Sequence, residues 1–592
     1  MALPARSVVS VHYPFAVKAG ILEFGGATFC FIHGHNNRRN KLLSLNKQTL
    51  TELCFQAVER YGKKVCFQMY RDGGICDRLS YEEFGVKVRR FAFLLKCLGV
   101  KAGDRVMILS ENRPGWPIAY FGTVLAGAVT VPVLVDFPAE QVKAIASHAG
   151  ISALCYTGKT APKITGIDPA IPAIRIDLEP ADKIALDQEF TEGPPPALSD
   201  FPVVNEEDPA SILYTSGTTG NSKGVQLSHR NLVSNAVAAR NLIKLFSRDR
   251  LLSVLPLAHT YECTIGMLLP VTSGASVTYL DKPPSPAVLL PAMQAIRPTG
   301  IVSVPLLIEK ICRSKIFPEL EKNPLYKFPL TRSLVIWAAG QKLMAALGSS
   351  IRIFGVGGAS LSEDVERFLR KAGFPYTPGY GLTETSPLLT GTTPYKFPLR
   401  TCGTALEGTE LRIGDDGEIQ VRGPQVMIGY YKDEKRTREA FTEDGWFKTG
   451  DLGRLDKKGR LFIYGRLKAL ILGPSGENIY PEEIECLLNT SQLVEDALVV
   501  PGARGELVAL VVLSEKAKTM IAALSGSLED LKNTVNKKLT AFSRLSRIVI
   551  HPEPFEKTPT LKIKRFLYSA PKEQALPGEA DKMKPGPAGA NA

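Results

Sequence analysis

Between residues 214 and 224 the chain reads Tyr214-Thr215-Ser216-Gly217-Thr218-Thr219-Gly220-Asn221-Ser222-Lys223-Gly224, a composition suited to holding an anion. Glycines let backbone N–H groups curl around phosphate oxygens, the hydroxyls of Thr215, Ser216, Thr218 and Thr219 add donors, and Lys223 adds positive charge. The segment predicts a phosphate-binding loop. It differs from the P-loop of nucleotide triphosphatases, because Ser222 rather than Gly precedes Lys223 and residues 225–228 read as strand rather than helix. Further along lie Tyr380-Gly381-Leu382-Thr383-Glu384, Thr449-Gly450-Asp451, Gly465-Arg466-Leu467-Lys468 and Lys562-Ile563-Lys564-Arg565.

Taken in order, these segments resemble the adenylate-forming superfamily of acyl-CoA synthetases, adenylation domains and luciferases. Five ordered motifs spread over some 350 residues carry the resemblance, which extends across residues 49–568. It implies that Glu384 and Thr215 hold Mg²⁺ against ATP phosphates, hard oxygen donors for a hard cation. It implies that Tyr380 stacks on adenine, with Gly357-Gly358-Ala359 as the flat opposite wall, and that Asp451 accepts from the ribose hydroxyls with Arg466 assisting. Ser216 to Gly220, Lys223, Gly381 and Thr383 belong to the same nucleotide set. Lys562 is expected to stabilise charge as the acyl-adenylate forms, with Lys564 as a second candidate. The family's lysine usually follows Gly; here Leu561 stands before Lys562, which leaves the local loop geometry open. His259, in a P-x-x-H segment, resembles a residue beside the acyl tunnel; a satisfied structural histidine is the alternative.

The elements that must position these groups read as α/β. Helical spacing over residues 50–61 and 81–98 alternates with strand-like segments at 65–70, 105–110, 151–156 and 210–215, which predicts layered, largely parallel sheets. Residues 114–135 contain 22 positions without a charge, enough to cross a bilayer, but Pro117 and Pro132 flanking Gly122 and Gly127, and a helix-like half (118–127) followed by a β-branched half (128–135), predict a buried helix and strand instead. Residues 180–208 read as a surface loop. Residues 451–464 read as a hairpin turning at Asp456-Lys457-Lys458-Gly459. The expected division is an uncertain extension at 1–48, an AMP-binding body at 49–467, a small α+β lid at 468–568 and a disordered tail at 569–592. For the extension, with six basic residues and one acid in the first fifty, a targeting segment and a mis-chosen start codon are the two origins considered, the second favoured.

Composition narrows the partners. The chain has 592 residues and net charge +13, yet no block of basic residues, so the excess is diffuse and predicts no nucleic-acid binding. Ten cysteines without a C-x-x-C pair predict a reducing, cytoplasmic setting without a zinc site, with at most peripheral contact at a membrane. The resemblance is strongest to long-chain fatty acyl-CoA synthetases, through residues 255–279, 297–311 and 357–361. It implies a fatty acid, ATP and CoA as substrates, with an apolar tunnel worth ~0.8 kcal/mol per buried methylene. In the family the lid is re-used: rotation at Lys468 withdraws Lys562 and presents the 473–477 loop, including Gly476, to CoA. Two alternatives stay open: an acyl carrier protein supplied in trans as thiol acceptor, and a degenerate member that binds without turnover.

Overall fold

The computed structural model describes residues 43, 45–177, 193–215, 223–395, 397–472, 477–502, 506–518, 524–557 and 563–569, with the backbone of two antiparallel strands, Lys18–Phe24 and Ala27–His33. No element was expected over those strands. Tertiary contacts separate the residues before Leu45 from those after it. Ser216 to Gly220, Gly476 and Lys562, like most of the expected tail, lie outside the described residues.

Helix formation begins where the sequence supplies caps. Thr49 Oγ1 accepts from Glu52 N at the start of Leu50–Tyr61, and Ser80 with Glu83 forms a reciprocal capping box at the start of Tyr81–Cys97. The uncharged run becomes the buried helix Gly115–Leu125 and the strand Val129–Pro132, starting earlier and ending sooner than the pattern suggested. That helix lies close against Tyr81–Cys97: a Cβ at Gly122 would sit 2.6 Å from Phe91 Cδ1. Among the described residues no helix is long and apolar enough to cross a membrane.

Two large sheets position the site. The seven-stranded sheet runs Gly429–Tyr430, Lys223–Ser228, Pro209–Thr215, Val129–Pro132, Arg105–Leu109, Ala153–Tyr156, Ala173–Arg175, with Lys223–Ser228 antiparallel to both of its neighbours and every other pairing parallel. The thirteen-stranded sheet departs from the expectation of largely parallel strands. Its segment from Val65–Arg71 through Ser276–Leu280, Arg250–Leu252, Gly300–Ser303 and Ile353–Val356 to Tyr376–Gly381 is parallel. From Leu388–Gly391 through Gly403–Ala405, Arg460–Arg466 and Phe447–Leu455 to Glu418–Arg422 and Glu410–Ile413 it is antiparallel. Short connections allow this reversal; parallel pairs need a crossover. The hairpin at 451–464 forms, with Asp456 Oδ1 accepting from Lys458 N and Arg460 N.

Beyond residue 470 a three-stranded sheet of Val494–Pro501, Leu507–Leu513 and Leu545–Ile550 is flanked by the helices Pro481–Leu488 and Leu524–Asn536. Leu507–Leu513 is buried at every position, so this part has its own core.

Candidate active site

The phosphate loop is held at its two ends by strand pairing. Thr215 closes one strand and Lys223 opens the next, directly opposite each other in the antiparallel register. Lys223 Nζ donates to Glu384 Oε1 at 2.9 Å and to the Tyr430 hydroxyl at 2.8 Å, and lies 4.4 Å from the Tyr430 ring centroid. The Tyr430 hydroxyl donates to Glu384 Oε1 at 2.9 Å. Burial by itself would raise the Glu384 carboxyl, but the Lys223 ammonium and the Tyr430 hydroxyl outweigh it and hold the acid below its ordinary value. Glu384 sits on the short turn Thr383–Thr385, and Asn235 fixes the start of the next strand by donating to Leu388 O and accepting from Leu388 N. Gly381 is required by space: a Cβ there would lie 1.7 Å from Pro387 O. Thr215 Oγ1 is buried without a hydrogen-bond partner among the described residues. One carboxylate and one unspent hydroxyl suit a magnesium ion that takes its remaining ligands from phosphate and water.

A second polar cluster surrounds Asp451, which is 5% exposed. Its Oδ2 accepts from the Tyr380 hydroxyl at 2.7 Å and its Oδ1 from Arg466 Nε at 2.8 Å. Asp451 and Arg466 face each other in the strand register, so the hairpin itself sets this pair. Burial and the adjacent Asp451 charge push the Tyr380 phenol well above its ordinary value, keeping it a neutral donor. Gly357 and Gly355 lie against Tyr261, with Gly358 at φ +83°. Lys468 is exposed on the short turn Leu467–Ala469.

An apolar cavity opens beside these motifs. It encloses about 510 Å³ including its mouth. The walls come from three of the motif-bearing segments: Tyr261, Ile265 and Leu269; Gly300 to Val302; and Thr377 to Gly379 beside Tyr380. Leu242, Ile243 and Leu245 add a wall that the sequence did not indicate. None of residues 357–361 lines the cavity, whereas Ile353 and Gly355 do. His259 is half-buried, and its Nδ1 accepts from Tyr261 N at 3.3 Å. It does not line the cavity, which is faced by Tyr261 and Ile265 on the following turns. Residues Glu262–Leu268 form a π-helix, a form frequent at functional sites. Glu262 is fully buried within it, and burial pushes its carboxyl up to about 8, with Ser253 and the Leu255 backbone drawing it back in part.

At the C-terminal end, Arg565 forms a two-pronged ion pair with the buried Glu485 on the helix Pro481–Leu488. Lys557 and Ile563 pair across an antiparallel bridge, fixing both ends of the 558–562 segment that contains Lys562. Lys564 Nζ is engaged by Glu556 Oε2 at 3.0 Å. The part of the chain beyond residue 470 meets the part before it where Arg313 Nη1 donates to Thr490 O at 3.3 Å and where the Tyr464 and Tyr480 rings lie 5.3 Å apart.

Tyr430 is the residue sequence reasoning missed. Nothing in the run Gly429-Tyr430-Tyr431 separates it from an ordinary edge-strand aromatic; its role appears only when the strand Gly429–Tyr430 pairs with Lys223–Ser228.

In fold, the chain matches an ATP-bound chimera of RpMatB and BxBclM with a TM-score of 0.71 at 25% identity, over 88% of this chain and 98% of that one. The architecture is therefore that of adenylate-forming enzymes. Residues 54–431 match the AMP-binding enzyme family and residues 469–569 match the AMP-binding enzyme C-terminal domain; the chain belongs to this family. Among its relatives, a long-chain-fatty-acid–CoA ligase, FadD15, of Mycobacterium bovis is 33% identical over 85% of this chain and 92% of its own length. A 4-coumarate–CoA ligase of Petroselinum crispum is 29% identical over 86% and 92%. The activity class is that of an AMP-forming acid–CoA ligase, driven by ATP.

Proposed function

We propose that the protein activates a medium- to long-chain fatty acid as its acyl-adenylate, releasing pyrophosphate, and then transfers the acyl group to CoA with release of AMP. The observation that carries this reading is the apolar cavity, one wall of which, Thr377 to Gly379, lies on the strand that bears Tyr380. A methylene chain suits an apolar cavity, and each buried methylene adds ~0.8 kcal/mol of preference for longer acids. The relative named for long-chain fatty acids supports the same choice.

In this reading the residues divide the labour by their surroundings. Tyr380 offers its ring face to adenine while its hydroxyl remains tied to Asp451, and Asp451 and Arg466 present an acceptor and a donor to the ribose. Residues 215–223 cradle the phosphates. Glu384 and Thr215 would hold magnesium, which supplies charge neutralisation on the phosphate oxygens. Lys223, now on Glu384, is within reach of the same anions. Lys562 stabilises the charge that develops between carboxylate and α-phosphate, and the Arg565–Glu485 pair anchors the segment that carries it. The lid, taken as residues 468–568 with its hinge at Lys468, shields the anhydride from water and then brings the 473–477 loop toward CoA.

The test is pyrophosphate release from ATP and magnesium across acids from acetate to palmitate, each with CoA, with a holo-acyl carrier protein, or with neither. Release that peaks with long chains and turns over only with CoA is the expected result. Faster turnover of acetate or an aryl acid overturns the fatty-acid reading, and turnover with the carrier protein alone overturns CoA as acceptor.

A further inference from the structure

The crossover between the strands Gly300–Ser303 and Ile353–Val356, both of which line the apolar cavity, ends in the long helix Pro329–Ala346. One face of that helix, Ile336, Gly340 and Leu343, is buried against the core. Its opposite face carries Leu330, Leu334 and Trp337 at helical spacing, 96%, 65% and 52% exposed, and the turn leading into it adds Leu325 and Phe328 at 51% and 61%. Five large apolar side chains within 13 residues, all in water, form a contiguous patch rather than the scattered exposure that soluble surfaces ordinarily show. Along the sequence the charge of this stretch has one sign, with Glu319 and Glu321 just before it. From Lys322 to Ser362 the chain contains no Asp or Glu, while Lys322, Lys327, Arg332, Lys342 and Arg352 are all cationic. Lys327 and Arg332 flank the apolar face and are exposed; Arg332 lies 4.7 Å over the Tyr326 ring, which holds its guanidinium beside the patch. The ion pairs of this stretch lie toward its far end, where Lys342 meets Glu319 at 3.9 Å and Arg352 meets Asp249 at 2.6 Å.

We propose that this face docks on the surface of an anionic bilayer, with Phe328, Leu330, Leu334 and Trp337 entering the interface and Lys327 and Arg332 meeting lipid phosphates. A wet apolar stripe bordered by lysine and arginine and ending in an indole matches the chemistry of the boundary between headgroups and acyl chains. A protein partner or a second copy of the chain would bury the same apolar area, but the absence of acid over 41 consecutive residues favours an anionic partner. The docking stands whatever acid the enzyme activates. For a fatty acid it sets the membrane, where such acids partition, against the crossover between two walls of the cavity.

The test uses the full chain and two vesicle populations, phosphatidylcholine alone and phosphatidylcholine mixed with phosphatidylglycerol. Co-sedimentation with the anionic vesicles is expected, together with a blue shift of tryptophan emission; Trp116 and Trp446 are buried, so Trp337 is the reporter. The triple variant L330S/L334S/W337S should lose vesicle affinity on the order of tenfold or more, and K327E/R332E should lose it most at low salt. Trp337→Phe should keep binding and lose the spectral shift, which separates loss of docking from loss of fold. Absence of vesicle binding by the parent chain, or equal binding by the triple variant, overturns the proposal. A dimer in solution that the triple variant dissolves would assign the face to a second copy instead.

Discussion

The two sides of the active site handle buried polarity in opposite ways. On the nucleotide side each ionised carboxylate is answered before any ligand arrives: Glu384 by Lys223 and Tyr430, Asp451 by Tyr380 and Arg466. On the cavity side, Glu262 and the hydroxyls of Thr260 and Thr264 are buried with no partner at full hydrogen-bond geometry among the described residues. The first arrangement keeps charge where charged phosphates must be met, and pre-orients it at no cost during reaction. The second keeps charge away: a fully buried acid without a cation protonates instead of ionising. One molecule thus maintains an ionised site and a neutral one side by side.

Breaking the answered side should have the largest consequences. Glu384→Gln keeps the shape of the turn but removes the charge that Lys223 faces and that a magnesium ion needs. Pyrophosphate release should fall by ~10²–10³, the scale seen when a preorganised electrostatic group is lost, while the thermal midpoint moves by only a few degrees. Unchanged turnover would take Glu384 out of the metal site. Asp451→Asn should come next. It leaves Arg466 without its counter-charge, and ATP-dependent release should fall by roughly 10–10² with a stability loss of about 1–2 kcal/mol, since hydrogen bonds to charged groups contribute ~1.5–3 kcal/mol and Arg466 is partly solvated. Tyr380→Phe, which keeps the ring and removes one donor, should retain most ATP binding; an effect as large as that of Asp451→Asn would mean that the hydroxyl, rather than the ring, is what the nucleotide uses.

A smaller step separates what the sequence could show from what it could not. Thr215 and Lys223 were legible from the composition of their loop, and Asp451 and Arg466 from motifs that resemble the family's; each pair faces across one antiparallel ladder. Tyr430 was not legible, since it reaches Glu384 only through an edge strand 46 residues away. The antiparallel half of the larger sheet was likewise hidden: its strands are short, Gly403–Ala405 spans three residues, and period-two patterning needs more length to register. The π-helix at Glu262–Leu268 reads as an ordinary apolar helix in sequence, because its extra residue per turn depends on packing. Tyr430→Phe tests how much this unseen residue matters. It removes one of two donors to Glu384 and leaves the ring beneath Lys223, so a loss of ~3–10-fold in turnover is expected, about the energy of one hydrogen bond. A loss equal to that of Glu384→Gln would make Tyr430 an equal partner in the site.

The unanswered side should respond with the opposite sign and with little effect on turnover. The Glu262 carboxyl stays protonated in the folded protein up to about 8, whereas in the unfolded chain it ionises near the ordinary carboxylate value. Between those values the unfolded state has released a proton that the folded state still holds, so the contribution of Glu262 to stability is fully present below about pH 4.5 and is lost as the pH rises toward 8. Glu262→Gln removes the titration and preserves the volume against Gly266, whose Cβ position already lies 2.5 Å from Glu262 Oε1. The variant should therefore match the parent chain near pH 5 and exceed it near pH 8 by a few kcal/mol, with the difference read from denaturant midpoints at the two pH values. Pyrophosphate release should change by less than about threefold, because no ionised group is lost at neutral pH. A variant less stable than the parent at pH 8 would show that Glu262 is ionised and paired, and the contrast between the two sides of the site would be gone.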